Sequence, residues 1–410
     1  MNNIKQKKTK TKIEIKTKTI TSHIKKIMPR KEKKNVVVIG AGVSGLTSAL
    51  VLLETYNLNS LYVISSELPG DTHAHDYTSP WAGGNWMSFV KDPVKEKKQI
   101  KYDAITYRIL MNMADTVKEA GIRKIKAKIF CKKPEESLPW YISEGFVENI
   151  SMISPTEVKQ RNLDPAVFIG YEYDTVTVTP VIYCHYLRNR IEKLGGKILR
   201  TPKIDHLRQY LKDAVASKLL PYKPDLIVNC SGLGAIKVLS DLPGEKEEIK
   251  KIYPVKGQIV VIQQDLPYQL CVDNLPDDAA TGIQEGVQFS HIFPRGDGYS
   301  IMGGIMVPND WSNTVSPKVS ESIMNNIARF VPEFSTKENM HKLYDYAALR
   351  PGRKGGVRVE YKEYYGGELK IVHNYGIGGA GYQASYGLSA EVAQLASKAL
   401  GAPSKCPFKL

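Results

Sequence analysis

Cysteine is scarce and badly placed for any framework. There are five, Cys131, Cys184, Cys230, Cys271 and Cys406, an odd number scattered over 410 positions with no C-x-x-C pair. That excludes a disulfide-stapled fold and a thiolate zinc site, and it fits a reducing compartment. Long apolar runs are missing too. The nearest approach, residues 36–53, is broken by three glycines, Ser44, Thr47 and Ser48, and Glu54 follows at once. A bilayer span needs about 20 apolar residues, so this stretch reads as a core element and no membrane association is expected. Acidic residues are nearly absent from the first 34 positions, which hold thirteen Lys or Arg against two Glu and so carry +11 of the net +15. The basic character is therefore a tail and not a groove, and nucleic-acid binding is not expected. Being Lys- and Thr-rich with few large apolar residues, the tail is expected to be disordered. It is poor in acids like a targeting segment, but lysine in place of arginine weakens a mitochondrial reading, and Met28 is a second place where translation could begin.

What remains is an ordinary globular composition, 42% hydrophobic and 24% charged, with length enough for two domains. Its organising stretch is Val36 to Leu46, VVVIGAGVSGL. Val36, Val37, Val38 and Ile39 read as a buried parallel strand, and residues 46–54 continue as an apolar helix. Between them Gly40, Gly42 and Gly45 form a G-x-G-x-x-G turn. Gly40 permits the tight turn, Gly42 lets backbone approach a pyrophosphate, and Gly45 lets the helix pack close to the strand. Val43 and Ser44 open that helix, whose free N–H groups and partial positive charge suit phosphates. Leu61 to Ile64 is a second strand. The acidic residue that bonds the adenosine ribose is expected near its end, where Glu67 is either that group or a solvated loop carboxylate.

Further along, His73 and His75 lack a third ligand nearby, so no metal is expected. Residues 79–86, SPWAGGNW, form a glycine-rich aromatic loop that either lies against a planar ring or packs its tryptophans on the core. Residues 182–194 have a helical pattern stopped by Gly195-Gly196. Residues 225–230 form an apolar strand ending in Ser231-Gly232-Leu233-Gly234, a second backbone-rich turn. Residues 254–265 and 288–306 read as an antiparallel sheet around Gly296-Asp297-Gly298. Residues 374–380 are glycine-rich and precede a helical run, 386–399, whose N-terminus is expected to face negative charge developing on a cofactor ring. This order predicts two interleaved domains.

Taken together these stretches resemble the D-amino-acid oxidase family. The likeness is carried by the opening glycines with SPWAGGNW, by YDTVTVTPVIYCHYLRNRIEKLG (173–195), DLIVNCSGLGA (225–235) and PVKGQ (254–258), and by HIFPRGDGYSIMGG (291–304), LRPGR (349–353) and HNYGIGGAGYQASYG (373–387). It runs from about Asn35 to Ala399. It implies an α/β fold in which a Rossmann-type FAD-binding domain (35–90, 172–245 and 345–400) is interleaved with an α+β substrate domain on a mixed or antiparallel sheet (91–171 and 246–344), flanked by tails 1–34 and 401–410. FAD is the implied cofactor, contacted by Gly40, Gly42, Val43, Ser44, Gly45, Glu67, Ser79, Gly84, Asn85, Ser231, Gly232, Gly378, Gly379, Ala380, Gly381, Tyr382 and Gln383.

Arg350, in the L-R-P motif, is the implied carboxylate-binding residue, with Arg353 in reserve. A guanidinium grips a carboxylate in two bonds and so fixes orientation as well as charge. The implied reaction passes the α-hydrogen of a D-amino acid as hydride to flavin. The imino acid then hydrolyses to a 2-oxo acid and ammonia, and O2 is reduced to hydrogen peroxide. No protein base is needed, and no His/Asp pair stands in these motifs. Two positions depart from the family, where tyrosines are common: His291 and Met306. His291 either replaces one hydrogen bond or is a packed core histidine, and Met306 reads as a pocket wall. Neutral D-amino acids are expected over D-aspartate, since Met306 brings no second cation and His291 does so only if protonated. The alternatives are a D-aspartate oxidase, a flavin-binding protein with altered or lost activity, and an NAD-dependent dehydrogenase. A homodimer is left open. The terminal Phe408-Lys409-Leu410 partly resembles a peroxisomal address, with the cytoplasm as the other location.

Overall fold

Strand β1 (Asn35–Ile39) lies inside a six-stranded sheet, and Val36 to Ile39 are all buried, as a strand covered on both faces requires. A computed structural model describes residues 33–71, 77–133, 138–272, 287–334 and 336–401. His73, His75, Cys406, most of the basic tail and Phe408-Lys409-Leu410 lie outside those residues. From Asn35 onward the chain is one unit by its internal contacts.

Beside β1 stand β2 (Ser60–Ser65) and β7 (Leu226–Asn229), both parallel to it. β6 (Lys197–Arg200) extends the sheet past β2. On the other side β14 (Leu369–Tyr375) pairs in parallel with β7, and β13 (Arg358–Tyr364) closes the edge antiparallel. Alternation along β1 divides the core. Val36 and Val38 face helices α1 (Val43–Thr55), α3 (Pro180–Lys193) and α6 (Ser385–Leu400), whereas Val37 and Ile39 face α4 (Leu207–Ala216). Burying each such side chain contributes about 1.5–3 kcal/mol, so the register of β1 is strongly specified.

The second sheet has eight strands in the order β12-β8-β11-β10-β9-β3-β5-β4. These are β3 (Ile122–Lys132), β4 (Glu148–Ile153), β5 (Phe168–Val178), β8 (Ile252–Ile262), β9 (Tyr268–Val272), β10 (Val287–Pro294), β11 (Ser300–Pro308) and β12 (Lys342–Arg353). Only β3 and β9 run parallel, so the sheet is mixed. Helix α5 (Pro317–Phe330), capped by Ser316, covers the face that carries Val260, Ile262 and Met302. The opposite face carries Ile259, Val261 and Ile301 toward Trp81 and Tyr346.

Strand pairing moves two boundaries drawn from the sequence. Residues 172–178 and 345–353, assigned there to the FAD-binding part, lie in β5 and β12 and pair inside the eight-stranded sheet. Helix α2 (Lys97–Thr116), assigned to the substrate part, packs on α6, where a Cβ at Gly387 would stand 2.2 Å from Tyr102 Cα. A hydrophobic pattern records which face is buried but not which partner buries it.

One charged cluster is built into the fold. Glu245, 1% exposed, accepts from Arg358 at 2.6 Å, Lys362 at 2.5 Å and Tyr364 Oη at 2.8 Å. Nearby, Glu248 accepts from Arg353 Nε at 2.5 Å and Nη2 at 3.0 Å. Burial alone would raise both carboxyls, but these donors hold each at about 2. A carboxyl held below its unfolded value of 4.5 stabilises the fold above that pH, and the contribution is lost as pH falls through the folded-state value. The urea midpoint should therefore be flat above about pH 5 and fall steeply between about pH 4.5 and 2. In Glu245→Gln the fall should be shallower; an unchanged acid profile in that variant would contradict the assignment.

Candidate functional site

The site grows from the turn after β1. Gly40 has φ +101°, and a Cβ there would lie 2.5 Å from the Cys230 carbonyl oxygen, so the β1 and β7 turns touch through bare backbone. Helix α1 begins at Val43 with no acidic residue in its first turn. Its leading N–H groups have no intrahelical partner, and Val43 N–H donates to Ser79 Oγ at 3.0 Å. Ser79 also accepts, through its carbonyl, from Tyr382 Oη at 2.9 Å, which ties the 79–85 loop to the glycine cluster after β14. Thr78 Oγ1 donates to Leu349 O at 2.6 Å and so fastens the same loop to β12 beside Arg350. Buried Arg295 donates to Pro80 O at 3.1 Å and Ala82 O at 2.9 Å.

These elements enclose a cavity of about 610 Å³, within the ~300–1,000 Å³ usual for cofactor and small-molecule sites. One end is walled by Gly40, Gly42, Val43 and Ser44, by Glu67 after β2, by residues 201–205 after β6, and by Ser231, Gly232 and Lys237 after β7. The other end is walled by Asn85, Phe89, Gly257, Ile259, His291, Phe293, Met306, Trp311, Tyr346 and Arg350, with Gly378, Gly379, Gly381 and Tyr382 beside them. Trp81 stacks on Tyr346, ring centroids 3.5 Å apart and planes within 15°. Asn85 Nδ2 is buried without a hydrogen-bond partner among the described residues and stands in the cavity wall.

Arg350 is the cation of that second end. From β12 its guanidinium reaches across β8, over Gly257, and donates through Nη1 to Ile305 O on β11 at 3.1 Å. A Cβ on Gly257 would come within 2.3 Å of Nη1, so only glycine leaves the path clear. Burial lowers its pKa to about 10, which leaves it charged at neutral pH. Among the described residues no carboxylate pairs with it. Arg353, the reserve, is committed to Glu248 and does not line the cavity. Burial, and then the charge of Arg350, hold His291 down to about 3, so the imidazole is neutral; it stacks on Phe293 with centroids 4.3 Å apart.

Four positions expected at the cofactor do not line the cavity. Gly45 serves packing alone, since a Cβ there would meet Gly40 O at 1.9 Å. Gly84, at φ +69°, is needed because Val178 O lies 2.2 Å from where its Cβ would be. Ala380 is buried, and Gln383 turns away to donate to Asp103 Oδ2 at 3.2 Å. At the N-terminus of α6, Ser385 N–H bonds Tyr382 O and Gly387 N–H bonds Thr106 Oγ1, and none of residues 385–388 lines the cavity. The loop before it lines the cavity instead. Residues 201–205, Lys237, Phe89, Trp311 and Tyr346 went unmarked, because nothing local distinguishes them from other loop or strand residues.

Residues 35–395 match the family of FAD dependent oxidoreductases designated DAO. The chain belongs to that family. This oxidoreductase is 29% identical over 381 residues to a D-amino-acid oxidase of Fusarium vanettenii, covering 88% of this chain and 96% of the relative. It is 24% identical over 409 residues to a D-aspartate oxidase of Cryptococcus neoformans var. grubii serotype A, covering 90% and 98%. Its fold is that of glycine oxidase from Bacillus cereus, with TM-score 0.65, 16% identity and coverage of 89% and 95%. Its cofactor is FAD, and the residues present fit it: a glycine turn whose backbone packs bare against the β7 turn in the cavity wall, an α1 N-terminus free of acid, and an Asn85 Nδ2 without a hydrogen-bond partner among the described residues. No helix among the described residues is long and apolar enough to cross a membrane, and none of their His, Cys, Asp and Glu form a group able to hold a metal.

Proposed function

We propose that this oxidoreductase carries out oxidative deamination of D-amino acids with neutral side chains, giving a 2-oxo acid, ammonia and hydrogen peroxide. The observation that carries the reading is Arg350, a half-buried guanidinium without a carboxylate partner among the described residues, opening into the same cavity as the dinucleotide cradle. When bound, FAD supplies the two-electron acceptor for the substrate's α-hydrogen. Arg350 holds the substrate carboxylate through its planar fork, and its bond to Ile305 O fixes the plane of that fork. Asn85 offers its amide at the junction of cofactor and substrate. Phe293 and Tyr346, with the more exposed Met306 and Trp311 at the edge, wall the space for the side chain.

Neutral side chains are favoured because, among the described residues lining the Arg350 end, Arg350 is the one cation. His291 is neutral there, and Lys203 and Lys237 belong to the nucleotide end with Asp205 and Glu67. Burying a second carboxylate without a partner is costly. Purified protein should be yellow, and anaerobic D-alanine should bleach it. D-Aspartate should do so with kcat/KM lower by about tenfold or more. Met306→Arg should raise D-aspartate relative to D-alanine by about tenfold. Bleaching of the unmodified protein by D-aspartate alone would make it a D-aspartate oxidase; a yellow protein that no D-amino acid reduces would make it a flavin-binding protein without turnover. Peroxisomal residence belongs to the same proposal, supported by Phe408-Lys409-Leu410 and by the hazard of peroxide, and deletion of those three residues should abolish import.

A further inference from the structure

A chain of buried polar groups runs from the cavity wall into the core of the six-stranded sheet: Ser231, Asn229, His373, Tyr364 and Glu245. Asn229 and His373 are register partners on β7 and β14. Asn229 and His373 are 0% exposed and Tyr364 2%. The direction of every bond in the chain can be deduced. Ser231 N–H can only donate, and it points at Asn229 Oδ1, 3.2 Å away, which fixes that atom as the amide oxygen. Asn229 Nδ2 therefore faces His373 Nδ1 at 3.4 Å and donates to it, so Nδ1 is bare. Burial, and then the charge of Arg358, keep the imidazole neutral, down at about 3. Its one proton then sits on Nε2, which donates to Tyr364 Oη at 2.9 Å. The phenol passes its own proton toward Glu245 Oε1 at 2.8 Å. At the other end, Ser231 Oγ donates to Asn229 Oδ1 at 2.6 Å.

Ser231 lines the cavity with its only hydroxyl proton already committed inward, so toward the cavity it presents lone pairs alone. We infer that His373 is a positioning residue, locked as the Nε2–H tautomer, and that the chain it completes makes Ser231 an acceptor for a sugar-type hydroxyl of FAD. A phosphate oxygen has no proton to give and would be repelled by Ser231; the N–H groups at the start of α1 suit the phosphates instead. FAD carries such hydroxyls on its ribityl chain and on its adenosine ribose. The inference rests on FAD binding and is independent of the amine substrate.

Two measurements test it without reading turnover. In histidine-labelled holoenzyme, long-range nitrogen–proton NMR at neutral pH should give His373 as the neutral Nε2–H form; an Nδ1–H or doubly protonated ring overturns the inference. In titrations of apoprotein, Ser231→Ala should weaken FAD by about three- to tenfold. FAD analogues lacking ribityl or ribose hydroxyls, used separately, identify the donor. One of them should bind the unmodified protein more weakly by a similar factor yet lose nothing further in Ser231→Ala. His373→Leu should weaken FAD similarly. His373→Gln, which can still accept from Asn229 and donate to Tyr364, should recover most of the affinity. If His373→Leu does not fold, the tautomer and the Ser231→Ala cycle decide the matter alone. Analogues that all bind as FAD does, or that lose affinity equally in both proteins, overturn it.

Discussion

Arg350→Leu should lower kcat/KM for D-alanine by about 10²- to 10³-fold while leaving the protein yellow and folded. Truncating one partner of a buried, hydrogen-bonded charge pair costs ~2–5 kcal/mol, and every 1.4 kcal/mol is about tenfold. The loss should fall on the rate of anaerobic flavin reduction as well as on KM, because the two-point grip sets the angle of the α-carbon and not only its residence. Stability should not suffer. The half-buried guanidinium has no carboxylate partner among the described residues, so its loss breaks no ion pair. Arg350→Lys should fall between, since a point charge replaces the fork. Gly257→Ala makes a sharper companion: the added methyl would sit 2.3 Å from Nη1 and push the intact arginine aside. Wild-type flavin reduction and KM in Arg350→Leu would remove the basis of the proposed chemistry.

The second large effect is on cofactor binding. Gly45→Ala should destabilise the fold by about 3 kcal/mol and weaken FAD by about a hundredfold. A Cβ there would lie 1.9 Å from Gly40 O and 3.0 Å from its carbonyl carbon. Both are backbone atoms, so the clash is relieved only by lifting α1 off β1. That displaces the first-turn N–H groups and the Gly40 turn together, although Gly45 itself lines no part of the cavity. Gly234→Ala is the control. Its φ is −61°, and its Cβ would meet only Ser231 Cβ at 3.6 Å, an ordinary contact. There alanine should be neutral or stabilise by ~0.4–1 kcal/mol. Matching urea midpoints for the two variants would show that the close approach at Gly45 is not needed.

The cradle was legible because its signals are local. Four apolar residues, three glycines and an apolar helix are contiguous, and each answers a steric demand met within a dozen positions. The Ser231-Gly232 turn was readable in the same way, as a strand ending in small residues. Arg350 was not: a lone arginine before a proline has no local mark, and only the resemblance singled it out. The α6 N-terminus misled for the converse reason. It has the composition of an anion site, but Ser385 N–H bonds Tyr382 O one turn back and Gly387 N–H bonds Thr106 Oγ1 on α2, a partner no local pattern encodes.

By itself the sequence determined the periodic and the sterically extreme parts of this protein: the buried β1, the glycine turn, the helix stop after α3, and the separation of a basic tail from a nearly neutral remainder. Those follow from backbone geometry and burial over a few residues. Strand order and register were decided only in three dimensions. They set β12 beside β8, so that Arg350 crosses Gly257 to reach Ile305, and they set β14 beside β7, so that His373 meets Asn229. Those two strand pairings join residues eighty or more positions apart, and no short-range pattern encodes them, because the free energy that selects them belongs to the assembled sheets.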